Sequence, residues 1–197
     1  DRRPKDMTAI ALMRHYPTSW NAEARLQGQA DIPLTDTARE TLRGLTMPDP
    51  WRTARLICSP LSRAAETADL LADGRAPTHD ARLMELSWGE WEGQRAEDLL
   101  ADPASGFRPT HEWDADTAAP GGESASQAWE RTRPALADVT ADPSPAVIVT
   151  HKALMRLILT RAGVEEPEIK RGRLYPLTLG KTGLPSNPGP AVRLEQR

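Results

Sequence analysis

The sequence predicts an α/β fold, a three-layer α/β/α sandwich around a mostly parallel central sheet. Short apolar runs typical of buried strands alternate with longer segments whose apolar residues recur at helical spacing. The clearest strands are 7–13, 54–59 and 146–150, and each leads into a loop or helix rather than a tight hairpin. This order favours parallel strands that are covered by helices on both faces.

Bulk properties indicate one ordinary globular domain over 1–197, with a charged and flexible N-terminal extension at 1–6. The net charge of -3 gives no general attraction for nucleic acid or an anionic membrane, so neither partner is expected. No apolar stretch is long enough to span a bilayer. Cys58 is the only cysteine, which excludes an internal disulfide and favours a cytoplasmic location.

The first strand ends abruptly at Arg14 and His15. The connection that follows, 14–34, is long for a compact domain, and loops of this length are often functional. Thr35 is then well suited to cap a helix that runs to about residue 45. The alternative is that Arg14 and His15 have no functional role and only mark the point where the strand reaches solvent.

The second strand leads into a helix that carries a cation in an unusual place. This helix starts at Ser59-Pro60 and runs over 61–73, with Pro60 at the first position, where its missing N–H does no harm. Arg63 falls in the first turn, where a cation opposes the helix dipole. An anion bound between Arg63 and the helix N-terminus would explain this placement, and a surface arginine is the alternative.

The second half of the chain continues the alternation. Its predicted elements are a short extended piece within 78–86, a helix at 94–101, a loop-rich region at 102–121, a helix at 123–140, a strand at 146–150, a helix at 152–161 and strands at 173–179 and 191–195. Pro134 should bend or interrupt the helix in which it lies. The last two strands should form an antiparallel hairpin at an edge of the sheet.

Charged groups follow the strands and should converge. Parallel strands end at the same sheet edge, where ligands of α/β folds bind, so Arg14, His15, Arg63 and His151 can meet there. Two guanidiniums suit phosphate oxygens, and one histidine can act as nucleophile while the other, protonated, donates charge. A leaving group then needs a carboxylic acid, for which Glu85 is the best placed candidate.

Five ordered motifs span nearly the whole chain. They are Leu12-Met13-Arg14-His15 with Trp20-Asn21, Arg25-Leu26-Gln27-Gly28 and Pro33-Leu34-Thr35; Ser59-Pro60-Leu61-Ser62-Arg63-Ala64 with Thr67-Ala68; Glu85 with 86–93; Pro120-Gly121-Gly122-Glu123-Ser124; and Val147-Ile148-Val149-Thr150-His151. This series resembles the histidine phosphatase superfamily, also called the phosphoglycerate mutase-like family. The resemblance implies the phosphoglycerate mutase-like version of the predicted sandwich.

The resemblance also implies roles for the charged residues. His15 would attack phosphorus and become phosphohistidine, while Arg14, Arg63 and His151 hold the phosphoryl oxygens. Glu85 would protonate the leaving oxygen and then take a proton from the attacking water. No metal and no cofactor are expected, because arginine and histidine supply the positive charge.

Four further residues are expected to bind phosphate or substrate. Asn21 lines the pocket in many relatives, and Gln27 belongs to the same opening motif. Tyr16 stands where relatives usually have glycine, and it either narrows the pocket or packs inward. Lys152-Ala153 stands where many relatives have a glycine-rich pair, and Lys152 adds a cation. Trp88 should pack its own loop against the body, with substrate stacking as the alternative.

The predicted function is hydrolysis of a small phosphorylated substrate. The segment between the third and fourth motifs, 94–119, is shorter than is typical of the mutases, which favours a phosphatase. Mutase-type phosphoryl transfer is the near alternative. A catalytically weak phospho-ligand binding module is the other, if Tyr16 has compromised the pocket. The physiological substrate and the oligomeric state, including a homodimer, stay open.

Overall fold

The computed structural model describes residues 7–109 and 114–197, so the predicted extension at 1–6 lies outside the described residues. The same is true of His111, for which the loop-like sequence predicts a surface position. The strands are β1 (Met7–Arg14), β2 (Leu45–Thr46), β3 (Arg55–Cys58), β4 (Thr78–His79), β5 (Ala146–Thr150), β6 (Arg173–Gly180), β7 (Pro185–Ser186), β8 (Val192–Arg193) and β9 (Glu195–Gln196). The α-helices are α1 (Ser19–Ala22), α2 (Asp36–Arg43), α3 (Ser62–Leu70), α4 (Ala96–Ala101), α5 (Ala125–Val139) and α6 (Lys152–Arg161). Short 3-10 turns lie at Trp51–Thr53, Ala81–Leu83, Gly89–Trp91 and Pro103–Ser105.

Seven of the described strands form one mixed sheet, in the order β4-β3-β5-β1-β6-β7, with β8 also paired to β6. Strands β4, β3, β5 and β1 run parallel to one another, and β6 is antiparallel to β1. Every residue of β5 is buried, as is typical of a central parallel strand covered on both faces. The predicted mostly parallel α/β sheet is therefore confirmed.

Helices cover the sheet on both faces, which gives the three layers. Val147 and Val149 of β5 pack in a core cluster with buried residues of α2 and α3. Ile148, which points to the opposite face, packs in a second cluster with α5 and α6. The alternation of side chains along a strand thus divides one continuous apolar run between two cores. No helix within the described ranges is both long and apolar enough to cross a membrane.

Helices α2 and α3 differ from the predicted helices in where they begin or end. Thr35 caps α2 as predicted, because its side chain accepts the Ala38 N–H, but α2 ends at Arg43 and Leu45–Thr46 pairs with β9 instead. The prediction that α3 starts at Ser59-Pro60 is wrong. Leu61 is the N-cap, with extended backbone angles, and the Ser59 hydroxyl accepts its N–H.

Other differences come from contacts between distant parts of the chain. The predicted loop at 14–34 contains the short helix α1, whose start is fixed by the Thr18 N–H donating to Asn21 Oδ1 at 2.9 Å. Helix α5 continues through Pro134 rather than being interrupted. Strand β6 pairs antiparallel with β7 and β8, but it also pairs with β1 and so lies inside the sheet rather than at its edge.

The carboxyl ends of β1, β3 and β5 share one edge of the sheet. Arg14 lies opposite Thr150, and Cys58 lies opposite Val149. The ladder continues one step further, because the His15 N–H donates to the Thr150 carbonyl at 3.0 Å. This register places the residues that follow the three strands next to one another.

Candidate active site

His15 and His151 lie side by side at this edge, with ring centroids 5.1 Å apart. A cavity of about 600 Å³ opens there, and Arg14, His15, Arg63 and Glu85 line it. His151 is fully buried against His15. The structure therefore brings together the five residues that the sequence predicts as the catalytic core.

The orientation of His15 is fixed by a backbone carbonyl. Its Nδ1 lies 2.7 Å from the Tyr16 carbonyl oxygen, which can only accept, so Nδ1 carries the hydrogen and Nε2 keeps its lone pair. The side chain is 4% exposed. Burial and then the positive charge of Arg63 hold the pKa of His15 well below its usual value. His15 is therefore a neutral imidazole with one free nitrogen.

His151 is held by a serine that follows β3. Its Nε2 lies 2.8 Å from the Ser59 hydroxyl, and that hydroxyl also accepts the Leu61 N–H at 3.3 Å. The hydroxyl has one hydrogen to donate to Nε2, and in that arrangement the hydrogen of a neutral ring lies on Nδ1, which is buried and has no hydrogen-bond partner among the described residues. Burial, followed by His15 and Arg63, holds the pKa of His151 well below its usual value. A dianion bound beside this ring would raise the pKa of His151 and favour the protonated form that the sequence predicts.

Arg63 is aimed by backbone carbonyls. Its two terminal nitrogens donate to the Ala30 and Gly28 carbonyls at 2.7 and 2.6 Å. The side chain is 1% exposed, so the surface-arginine alternative is wrong. Gly28 has φ +52°, and a Cβ there would lie 2.1 Å from Glu92 Oε1, which explains the glycine of that motif. The Nε atoms of Arg63 and Arg14 are buried and have no hydrogen-bond partner among the described residues.

Glu85 lies against the N-terminus of α6. Its carboxylate accepts N–H bonds from Leu86 at 2.9 Å and from Ala153 and Leu154 at 3.1 Å. These bonds and Arg63 favour the charged form, but burial outweighs them and raises the pKa of Glu85. A carboxyl group whose pKa is moved toward neutrality suits proton transfer in both directions.

Three of the four predicted substrate-binding residues line the cavity, namely Asn21, Gln27 and Lys152. The side-chain oxygens of Asn21 and Gln27 both accept hydrogen bonds from Thr18, so the NH₂ group of each amide is directed away from Thr18. Tyr16 takes the alternative inward position: it is 8% exposed and belongs to a core cluster, and burial raises the pKa of its hydroxyl. Its placement outside the cavity lining corrects the expectation that it contacts substrate.

Two arginines near the site were missed in the sequence. The Arg171 Nε donates to the His15 carbonyl at 3.3 Å, and burial together with Arg14 lowers the pKa of Arg171 to about 10. It lies in the loop before β6, where no motif or period marks it. Arg156 lines the cavity, and its spacing four residues after Lys152 was the signal that could have found it.

Four further points concern a metal site, Cys58, His79 and Trp88. In the described part of the chain, no group of three or more His, Cys, Asp or Glu side chains could hold a metal ion. Cys58 is buried, and burial raises the pKa of its thiol to about 12, so it stays protonated. His79 is exposed on β4. Trp88 lines the cavity.

Comparisons with known proteins agree on one family. The sequence model of the histidine phosphatase superfamily (branch 1) matches residues 10–181. A "probable phosphoglycerate mutase" of Enterobacter sp. (strain 638) is 35% identical over 191 residues, which is 92% of this chain and 87% of that protein. The crystal structure of a phosphoglycerate mutase from Thermus thermophilus has a TM-score of 0.71 at 28% identity, and the match covers 95% of this chain and 100% of that chain. A mycobacterial glucosyl-3-phosphoglycerate phosphatase has a TM-score of 0.72 at 24% identity, with 96% and 97% coverage, and shares the fold.

The lowered pKa of His15 predicts how stability depends on pH. Between its folded pKa and about 6.5, the unfolded chain binds a proton that the folded chain does not, so stability falls as pH falls through this window. Replacing His15→Gln removes this contribution. When the pH falls from about 7.5 to about 5.5, the free energy of unfolding should decrease by about 1.4 kcal/mol less in the variant than in the wild type.

Urea unfolding followed by circular dichroism at the two pH values measures this difference. The control is His79→Gln, because His79 is exposed, and that variant should keep the wild-type dependence. Parallel stability profiles for His15→Gln and the wild type would contradict the neutral, buried histidine.

Proposed function

The chain belongs to the histidine phosphatase superfamily, and we propose that it hydrolyses small phosphomonoesters through a phosphohistidine intermediate on His15. The observation that carries the proposal is the bond from His15 Nδ1 to the Tyr16 carbonyl. It leaves a neutral Nε2 at a cavity lined by Arg14, Arg63 and Glu85. A nucleophile, charge stabilisers and a proton donor are the groups that phosphoryl transfer requires.

In the first step, His15 Nε2 attacks phosphorus in line with the ester oxygen. The N–P bond forms as the P–O bond breaks, and the Glu85 carboxyl gives its proton to the leaving oxygen. Arg14, Arg63 and the Nδ1–H of His151 hold the phosphoryl oxygens. The bonds from Arg63 to two carbonyls fix its guanidinium beforehand, so little reorganisation is needed during the reaction.

In the second step, water replaces the leaving group. The Glu85 carboxylate takes a proton from this water as its oxygen attacks phosphorus. The N–P bond breaks, inorganic phosphate leaves, and the bonding pair returns to Nε2. His15 is neutral again, and Glu85 is ready to act as an acid.

Mutase activity is the second candidate, and the named relatives favour it, since one at 35% identity is called a probable phosphoglycerate mutase. The segment at 94–119 supports hydrolysis, because it is shorter than is typical of the mutases. The binding-module alternative depended on Tyr16 obstructing the pocket. Tyr16 packs in the core, so that reason no longer applies.

The proposed nucleophile is tested by His15→Ala. Without an N–P intermediate, the rate of phosphate release should fall at least ~10³-fold, which is about 4 kcal/mol in barrier height. Release of inorganic phosphate is measured over sugar phosphates, nucleotides, phosphorylated cofactor precursors and aryl phosphates. Equal rates for the variant and an active wild type would exclude His15 as the nucleophile.

The proposed acid is tested by Glu85→Gln. The amide cannot give a proton to the leaving oxygen, so esters of alcohols with a high pKa should lose more rate than esters of acidic phenols. The slope of log kcat/KM against leaving-group pKa measures this and should become steeper in the variant. Uniform losses across the series would exclude a proton-donating role for Glu85.

The two candidate activities are separated by 3-phosphoglycerate supplied with a trace of the 2,3-bisphosphate. A phosphatase transfers the phosphoryl group to water, so inorganic phosphate should accumulate with little 2-phosphoglycerate. Phosphorus NMR follows 3-phosphoglycerate, 2-phosphoglycerate and inorganic phosphate in one sample. Rapid isomerisation without phosphate release would establish the mutase instead.

A further inference from the structure

We infer that Lys152 and Arg156 form a second anion subsite in the part of the cavity that lies along α6, beyond His15 and Glu85. The preferred substrate is then a phosphomonoester whose leaving group carries another anionic group. This inference rests on the proposed function for its reaction. The anionic group is a carboxylate or a second phosphate, which share the chemistry that lysine and arginine recognise.

The cavity holds more positive charge than one phosphoryl group requires. Arg14 and Arg63 already present two guanidiniums beside His15, and Lys152 and Arg156 line the same cavity. Within residues 7–109 and 114–197, neither Lys152 nor Arg156 forms a hydrogen bond or an ion pair through its side chain. Both side chains are therefore available to a ligand.

Their positions are also electrostatically unfavourable for the protein alone. Lys152 is the first residue of α6, where a cation opposes the helix dipole. Arg156 is four residues further on, a spacing at which like charges repel. Burial, Arg14, Arg156 and Arg171 together lower the pKa of Lys152. Such local conflicts are expected at functional sites, and an anion between the two cations would relieve all of them.

The geometry of α6 indicates where the second anion lies. The N-terminal turn of α6 binds the Glu85 carboxylate, so the ester oxygen must also lie at that end. Four residues advance about 6 Å along a helix, which places Arg156 one turn further from the reacting centre. Thr160, another turn along, still lines the cavity. The leaving group therefore extends along α6, from the catalytic carboxyl toward Arg156.

Other lining residues fit a leaving group of this kind. Leu86, Trp88 and Leu157 give the cavity an apolar wall on which a hydrocarbon or flat body can pack. Asp114 also lines the cavity, and its Oδ1 accepts bonds from the Asp116 N–H and the Thr117 hydroxyl, both at 2.9 Å. Among the described residues, Asp114 forms no ion pair with Lys152 or Arg156.

The test compares phenyl phosphate with meta-carboxyphenyl phosphate, whose phenols are similarly acidic, in Lys152→Met, Arg156→Met and the double variant. Methionine keeps an unbranched chain and removes the charge. The double variant should lose about tenfold in kcat/KM on the carboxylated ester, equivalent to ~1.4 kcal/mol, and about twofold or less on phenyl phosphate. Arg43→Met, at the exposed end of α2, is the control and should match the wild type on both esters.

Two kinetic outcomes overturn the subsite. Equal losses on both esters would mean that Lys152 and Arg156 act on the reacting phosphoryl group or on folding. Unchanged kcat/KM on both esters would mean that they contact neither substrate. Added salt should reduce the wild-type preference for the carboxylated ester, since the pair is open to solvent.

Binding separates this inference from the proposed reaction. Calorimetric titration with phenylphosphonate, meta-carboxyphenylphosphonate and meta-phenylenebisphosphonate requires no turnover. The wild type should bind at least one of the two probes with a second anionic group more tightly than it binds phenylphosphonate. Loss of this difference in the double variant supports the subsite even if no ester is hydrolysed. The tighter of the two probes identifies carboxylate or phosphate as the preferred group. Hydrolysis without any such preference in binding or rate would leave the phosphatase and overturn the subsite.

Discussion

The site depends on one short hydrogen bond, from His15 Nδ1–H to the carbonyl of Tyr16. This bond sets the tautomer, and it requires the Tyr16 peptide to be held in place. The Tyr16 N–H donates to the Thr67 hydroxyl at 3.1 Å, and that hydroxyl donates to the Arg63 carbonyl at 2.7 Å. His15, the proposed nucleophile, is thus oriented by α3, the helix that carries Arg63, so the two side chains keep a fixed relation.

Backbone dipoles make this cluster of buried charges tolerable. The carbonyls of Gly28 and Ala30 solvate the Arg63 guanidinium, and the first N–H groups of α6 solvate the Glu85 carboxylate. Because these partners belong to the main chain, the fold itself holds them in place. Preorganisation of this kind is the main requirement for stabilising a phosphoryl-transfer transition state.

The sequence predicted those features that depend on local pattern. Apolar runs located β1, β3 and β5, and the polar residues after them had to meet at one edge because the strands are parallel. The sequence could not decide between the two positions of Tyr16, and it gave no sign of the contact of Arg171 with His15, because each depends on a partner that is distant in sequence. The start of α3 has a local cause instead: the Ser59 hydroxyl accepts the Leu61 N–H, so Leu61 is the N-cap.

Position 152 shows how specificity can change while the chemistry is kept. What Glu85 needs from this turn of α6 is the N–H groups of Ala153 and Leu154, which almost any residue supplies. The lysine side chain at position 152 therefore does not disturb the contacts that hold Glu85, the proposed acid. Its side chain lines the cavity together with Arg156, at the place proposed above for the leaving group. Because main-chain contacts hold Glu85 and Arg63, residues along this face of α6 can alter the proposed substrate preference without displacing the proposed catalytic groups.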